Sequence, residues 1–185
     1  MNKDRFEILF WGIGGQGLVL ASIILAEAVG VYEGKNVVQS QAYTAIVRGS
    51  TSKAGVVISE KKEIFYPSIL SPNVLVAFSD EAYLANKDIL GPESILIYDN
   101  NMVTIEDDTP FKAYGSPFFK VAREELNIPF AGNVVALGAL SAITNVVSIE
   151  SLEKALLEKI KEKYHDINKK ALRRGFELGE EHLNK

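Results

Sequence analysis

The chain of 185 residues contains no cysteine and only two histidines. Without thiolates it cannot ligate a conventional iron–sulfur cluster, build a cysteine zinc site or offer a thiol nucleophile. His165 and His182 both fall in the charged C-terminal region, where they read as surface-helix residues, so a histidine-rich metal centre is not expected. Positive charge is scarce as well: 20 Lys and Arg stand against 24 Asp and Glu, a net charge of −4. Nucleic acid as a main partner requires a basic stripe, and none is present. Long apolar runs are missing too. Met1–Phe6 is polar, and the apolar run after it is broken by Gly12, Gly14, Gly15, Gln16 and Gly17. No uncharged apolar stretch reaches the roughly 20 residues of a membrane span. The expectation is a soluble, cytoplasmic protein with no secretory signal and no membrane partner.

What is present fits an ordinary globular domain, 47% hydrophobic and 24% charged, of a length that suits one domain over residues 1–185. Phe6–Trp11 reads as a buried first strand ending at a glycine cluster. Gly17–Gly30 is apolar on nearly all sides, with small residues at Ala21, Ser22, Ala26 and Ala28, as a helix packed closely on a sheet requires. Short strands follow at Asn36–Ser40 and Lys53–Ser59, the latter with Gly55 marking a close backbone approach.

Asn73–Phe78 is a continuous apolar run of the kind found in parallel strands covered on both faces. Ser79 then offers an N-cap, with Asp80 and Glu81 in the first turn of a helix running to about Leu90. Further strands are expected at Ser94–Asp99 and Phe111–Tyr114, and helices from about Ser116 to Leu126 and over Asn133–Ile143. Leu152, Leu156 and Ile160 recur at helical spacing, and a last helix starting near Asp166 turns Ile167, Ala171 and Phe176 inward. Alternating strands and helices predict a single Rossmann-like α/β domain with a mainly parallel sheet and helices on both faces.

Gly12-Ile13-Gly14-Gly15-Gln16-Gly17 fits the G-x-G-x-x-G pattern and sits between a strand and a helix. There the first glycine permits a tight turn, the second admits a ligand to the backbone, and the third lets helix and strand pack closely. Helix-start N–H groups at that point favour an anion. The same glycines also serve tight packing with no ligand, and the two readings stand side by side. A nicotinamide dinucleotide site needs an acid about 20 positions on, at the end of the second strand. That strand ends Val38-Gln39-Ser40-Gln41, and Glu33 and Glu60 fall before and well after the place. A second stretch, Tyr43-Thr-Ala-Ile-Val-Arg48-Gly49-Ser-Thr-Ser52, sets an arginine beside glycine and hydroxyl residues. That suits phosphate or carboxylate recognition, or simply an exposed turn.

Taken together, the glycine motif with its Ala-rich helix and the Tyr43…Arg48-Gly49-Ser50 stretch resemble the gamma domain of 2-oxoacid:ferredoxin oxidoreductases. Asn73–Ala82, Asn133–Leu140 and Asn168–Phe176 follow in that family's order, so the likeness covers nearly the whole chain. Two departures stand out. Thr44-Ala45-Ile46 replaces a Gly-Pro-Glu or Gly-Ala-Glu type triplet, so a polar role for its acid does not carry over. Ser50 replaces the second glycine after Arg48.

The resemblance implies a part in oxidative decarboxylation of a 2-oxoacid to an acyl-coenzyme A, with electrons passed to ferredoxin. It implies alpha and beta partner subunits, with a delta subunit as an open alternative. It places thiamine diphosphate, magnesium and iron–sulfur clusters on those partners, and implies that this chain is inactive alone. A short separate chain without a fused ferredoxin domain favours 2-oxoglutarate as the substrate. Gly12, Gly14, Gly15, Gln16, Gly17, Arg48 and Gly49 are the candidate cofactor-binding residues, for a phosphate of coenzyme A or for a partner's loop. The competing readings are a free-standing Rossmann NAD(P)-dependent dehydrogenase and a non-catalytic nucleotide-binding scaffold.

Overall fold

A computed structural model of the chain describes residues 4–43 and 51–184. Six strands form its sheet: β1 (Arg5–Ile13), β2 (Asn36–Tyr43), β3 (Thr51–Ser59), β4 (Val74–Ala77), β5 (Ile95–Asp99) and β6 (Lys112–Ser116). Their order across the sheet is β2-β3-β1-β4-β5-β6. The ladders β1–β4, β4–β5 and β5–β6 are parallel, whereas β3 is antiparallel to both β1 and β2. Five strands therefore run one way and β3 alone runs back, so the sheet is mainly parallel as predicted. β4 is buried along its whole length, as a continuous Val-Leu-Val-Ala run requires in a strand with both faces covered.

The helices are α1 (Leu18–Glu27), α2 (Asp80–Leu84), α3 (Phe118–Lys120), α4 (Gly132–Thr144), α5 (Ile149–Lys159) and α6 (His165–Leu183). α1 and α3 each run on into a five-residue π-helical turn, Ala28–Tyr32 and Val121–Glu125. The predicted cap at Ser79 forms, and a second serine cap stands at the start of α5. Ser79 Oγ accepts from the Ala82 amide at 3.2 Å, and Ser148 Oγ accepts from the Ser151 amide at 3.3 Å. The helix expected to reach Leu90 ends at Leu84 and gives way to a 3-10 turn over Lys87–Ile89.

The two faces of the sheet are covered unequally. Ile8 and Phe10 of β1, with Val56, Val76 and Ile97, meet α1, α4, α5 and α6 in one large core. Leu9, Trp11, Leu75, Ala77 and Leu96 face the other way, into a smaller core closed by Ala82 and Tyr83 of α2 and by loop residues such as Val103 and Phe111. In the larger core α4 and α6 touch backbone to backbone: a Cβ at Gly175 would collide with the Val135 carbonyl, and one at Gly138 with the Leu172 carbonyl. The buried face of α6 is therefore Asn168, Ala171, Leu172, Gly175, Leu178 and Gly179, and Ile167 and Phe176, expected inside, are only half-buried. The small-residue helices α1 and α4 cover this chain's own sheet. Among the described residues no helix is long and apolar enough to cross a membrane.

Candidate functional site

The glycine loop leaves the carboxyl end of β1. From there the chain passes to α1 on one face of the sheet, while the chain leaving the neighbouring β4 passes to α2 on the other. The loop thus stands at a topological switch point, the usual ligand crevice of an open α/β sheet. Gly15 and Gly17 have φ of 93° and 75°, a left-handed backbone that suits glycine. Gly17 is the N-cap of α1, and its carbonyl accepts from the Ala21 amide at 2.9 Å. Because that is the first bond of the helix, the amides of Leu18, Val19 and Leu20 form its first turn of donors with no preceding helical carbonyl.

Gln16 closes the crevice from inside. Its Oε1 accepts from the Ile13 amide at 2.6 Å, and its Nε2 donates to the Phe78 carbonyl at 3.0 Å, with Met102 Sδ at 3.5 Å. A Cβ at Gly12 would collide with that same Oε1 and stand 3.0 Å from Phe78 Cβ, so Gly12 makes room for the Gln16 side chain. Asn133, at the start of α4, donates from Nδ2 to the Gly17 carbonyl at 3.0 Å, and any side chain on Gly17 would displace it. Three of the predicted residues, Gly12, Gln16 and Gly17, are thus tied into packing. Gly14 and Gly15 are exposed at the turn, and a Cβ at Gly15 would meet open space.

The surroundings are more apolar than an anion site alone needs. Ile13, Leu20, Met102 and Phe130 are all solvent-exposed, Phe130 at 85%. They stand at the end of β1, in the first turn of α1, in the loop after β5 and in the approach to α4, and Met102 reaches the glycine loop at Gln16. Beyond Met102 a hollow of about 380 Å³ runs past Phe119, Lys120 and Arg123. Asp99 anchors it. This fully buried carboxylate accepts from the Asn101 and Phe119 amides, each at 2.9 Å. Burial pushes its pKa above the ordinary carboxylate value, and the amide hydrogen bonds act against that rise. Sequence reasoning placed Asp99 at a strand end without a role; the lone acid closing an apolar strand was the available signal.

Arg48 and Gly49, and the Thr44-Ala45-Ile46 triplet, lie outside the described residues. The ends of their connection are described: Tyr43 pairs with Ser52, and Thr51 pairs with Ile13. β2 ends and β3 begins at the same edge of the sheet as the glycine loop. Next to that edge Lys53 Nζ stands 3.1 Å from the centroid of the Trp11 ring, a cation–π contact, and burial lowers the pKa of its ammonium. Trp11 Nε1 is the one buried side-chain polar atom without a hydrogen-bond partner among the described residues.

The arrangement gives little support to the dehydrogenase reading. A dinucleotide fold sets the second strand beside the first, so that its terminal acid reaches the ribose; here β3 intervenes between β1 and β2. Glu33 lies at the opposite edge of the sheet, accepting from the Ser148 amide at 2.7 Å and paired with Lys35. Glu60 follows the end of β3, where Ser59 pairs with Arg5 at the start of β1. Among the described residues no group of three His, Asp or Glu side chains is arranged to hold a metal. His165 contacts the Ile160 carbonyl and His182 contacts Ser116 Oγ, each at 2.8 Å.

Comparison with known proteins agrees with this architecture. A family model described as pyruvate ferredoxin/flavodoxin oxidoreductase matches residues 7–178. The chain is 38% identical to the 2-oxoglutarate synthase subunit KorC of Methanocaldococcus jannaschii, over 98% of this chain and 100% of that one. Among solved structures, the gamma subunit of a keto/oxoacid ferredoxin oxidoreductase from Geobacter sulfurreducens superposes with a TM-score of 0.84 at 36% identity, covering 95% of this chain and 99% of that one. A 2-oxoglutarate:ferredoxin oxidoreductase from Magnetococcus marinus, solved with 2-oxoglutarate, coenzyme A and succinyl-CoA bound, also gives 0.84, at 28% identity. That likeness takes in 97% of this chain but 32% of the other.

Proposed function

The chain belongs to the pyruvate ferredoxin/flavodoxin oxidoreductase family, and from that footing we propose that it is the gamma subunit of a multi-subunit 2-oxoacid:ferredoxin oxidoreductase acting on 2-oxoglutarate. The observation that carries this reading is end-to-end likeness to a 2-oxoglutarate synthase subunit, with nearly all of both chains aligned. The complex decarboxylates the oxoacid, joins the remaining acyl group to the thiol of coenzyme A and passes two electrons to ferredoxin. With no cysteine in its sequence, this chain has no thiolate for a cluster. Thiamine diphosphate and magnesium belong to the alpha and beta subunits in this reading, and the clusters to the subunits that carry cysteine motifs, which makes the gamma chain inactive by itself.

Its own contribution lies at the carboxyl edge of the sheet. Exposed Gly14 and Gly15, the first-turn amides of α1 and the guanidinium of Arg48 beside Gly49 hold a phosphate of coenzyme A. Gly12, Gln16 and Gly17 serve the same site indirectly, by fixing the loop through the hydrogen bonds to Ile13, Phe78 and Asn133. The exposed apolar side chains of Ile13, Leu20 and Met102 suit the uncharged arm of that cofactor. Purification of the tagged chain from its native host tests the assignment. Thiamine- and cluster-bearing subunits are expected to come with it; a lone chain that binds NAD(H) contradicts it and restores the dehydrogenase reading.

A further inference from the structure

At the opposite edge of the sheet a part-buried charge pair fixes a loop that presents apolar side chains to solvent. Glu7, 4% exposed, accepts from Arg5 Nε at 2.5 Å and from the Leu70 and Ser71 amides at 2.7 and 2.8 Å. Arg5 in turn donates to the Tyr66 and Ser68 carbonyls at 2.9 and 2.8 Å. Four of these five hydrogen bonds end on the backbone between residues 66 and 71. Ile69 turns inward, where Gly55 leaves room for it. Phe65, Tyr66 and Leu70 turn outward, 88%, 53% and 65% exposed.

A buried carboxylate is costly unless fully hydrogen-bonded, and here its hydrogen bonds serve to hold this one loop still. Holding a loop in one conformation stabilises the core little, but it removes the ordering cost when apolar side chains meet a partner. Exposed aromatic and aliphatic groups clustered on a rigid support mark an interaction surface. The Magnetococcus chain indicates the kind of partner. There a domain of this fold makes up about a third of a longer polypeptide, so the remaining two-thirds is attached covalently. On the gamma-subunit reading the counterpart of that remainder is a separate chain, held by surface contact.

We propose that Phe65, Tyr66 and Leu70, held by Arg5 and Glu7, form the docking surface for the separately encoded subunit that corresponds to the rest of that longer chain. The proposal rests on the gamma-subunit reading. It places assembly at the amino edge of β1, away from the glycine loop, so the two functions separate by mutation.

The test is a triple variant, Phe65→Ser, Tyr66→Ser and Leu70→Ser, expressed with the native partner subunits and purified through a tag on this chain. Expected is a drop of about tenfold or more in co-purified partner, with thermal unfolding of the isolated variant unchanged because the altered side chains are exposed. Glu7→Gln, which leaves the apolar groups in place but loosens the loop, gives a smaller drop. Full recovery of partner with the triple variant overturns the proposal. So does a homodimer of the isolated chain that the triple variant alone dissolves, since the surface would then belong to a second copy. Absence of thiamine- or cluster-bearing subunits from the wild-type preparation overturns the gamma-subunit reading, and this proposal with it.

Discussion

Gln16 Nε2 donates to the carbonyl of Phe78 across the carboxyl ends of β1 and β4, and this one bond ties the glycine loop to the neighbouring strand. The crevice in which a dinucleotide fold seats its ligand is bridged here by a side chain of the motif itself. Gln16→Ala removes that bond and the one from the Ile13 amide. The part-buried Phe78 carbonyl then lacks this partner, at a cost of about 1–3 kcal/mol, while the exposed Ile13 amide turns to water. Urea unfolding of the isolated chain is expected to show a lower midpoint with unchanged slope.

Gly175→Ala is expected to cost about 3 kcal/mol, because the new Cβ collides with the Val135 carbonyl on α4 and neither helix backbone can move without opening the larger core. Thermal unfolding reads the loss directly. Substituting alanine for the half-buried Gly91, where a Cβ meets nothing within 4 Å, changes the melting temperature little.

Asp99 makes stability depend on pH in a definite direction. Burial raises its pKa in the folded chain above the ordinary 3.8, so the folded state holds the proton more tightly than the unfolded state. The stability this contributes is complete below 3.8 and is lost as pH rises through the folded pKa. The unfolding free energy of wild type minus that of Asp99→Asn, measured from pH 3.5 upward, is expected to fall with pH. A rising difference would mean that the amides of Asn101 and Phe119 outweigh burial.

Much of this was legible in the sequence, and the parts that were not have physical reasons. Strand positions followed from apolar runs, and the Ser79 cap from a hydroxyl before two acids. Strand direction did not: Lys53–Ser59 has the same pattern whichever way it runs, and only pairing with Ile13 through Arg5 reveals that β3 lies between β1 and β2. The glycine pattern located the loop correctly, but spacing cannot show that Gln16 folds back on Ile13 and Phe78. Arg5 and Glu7 look like two solvated charges at the start of a strand. Their partners lie about 60 residues away in the chain, beyond any local signal.

Arg48→Ala is expected to weaken coenzyme A binding by the assembled complex about tenfold or more, the loss of a charged hydrogen bond to phosphate, with kcat at saturating coenzyme A little changed. Isothermal titration of the complex measures it. Unchanged affinity removes Arg48 from the site.

The most direct measurement is reduction of a viologen dye by the reconstituted subunits, with and without this chain. Dye reduction that requires 2-oxoglutarate, coenzyme A and the chain together is the predicted result. Equal activity of the other subunits without it, or reduction of NAD by the chain alone, would contradict its assignment as the gamma subunit.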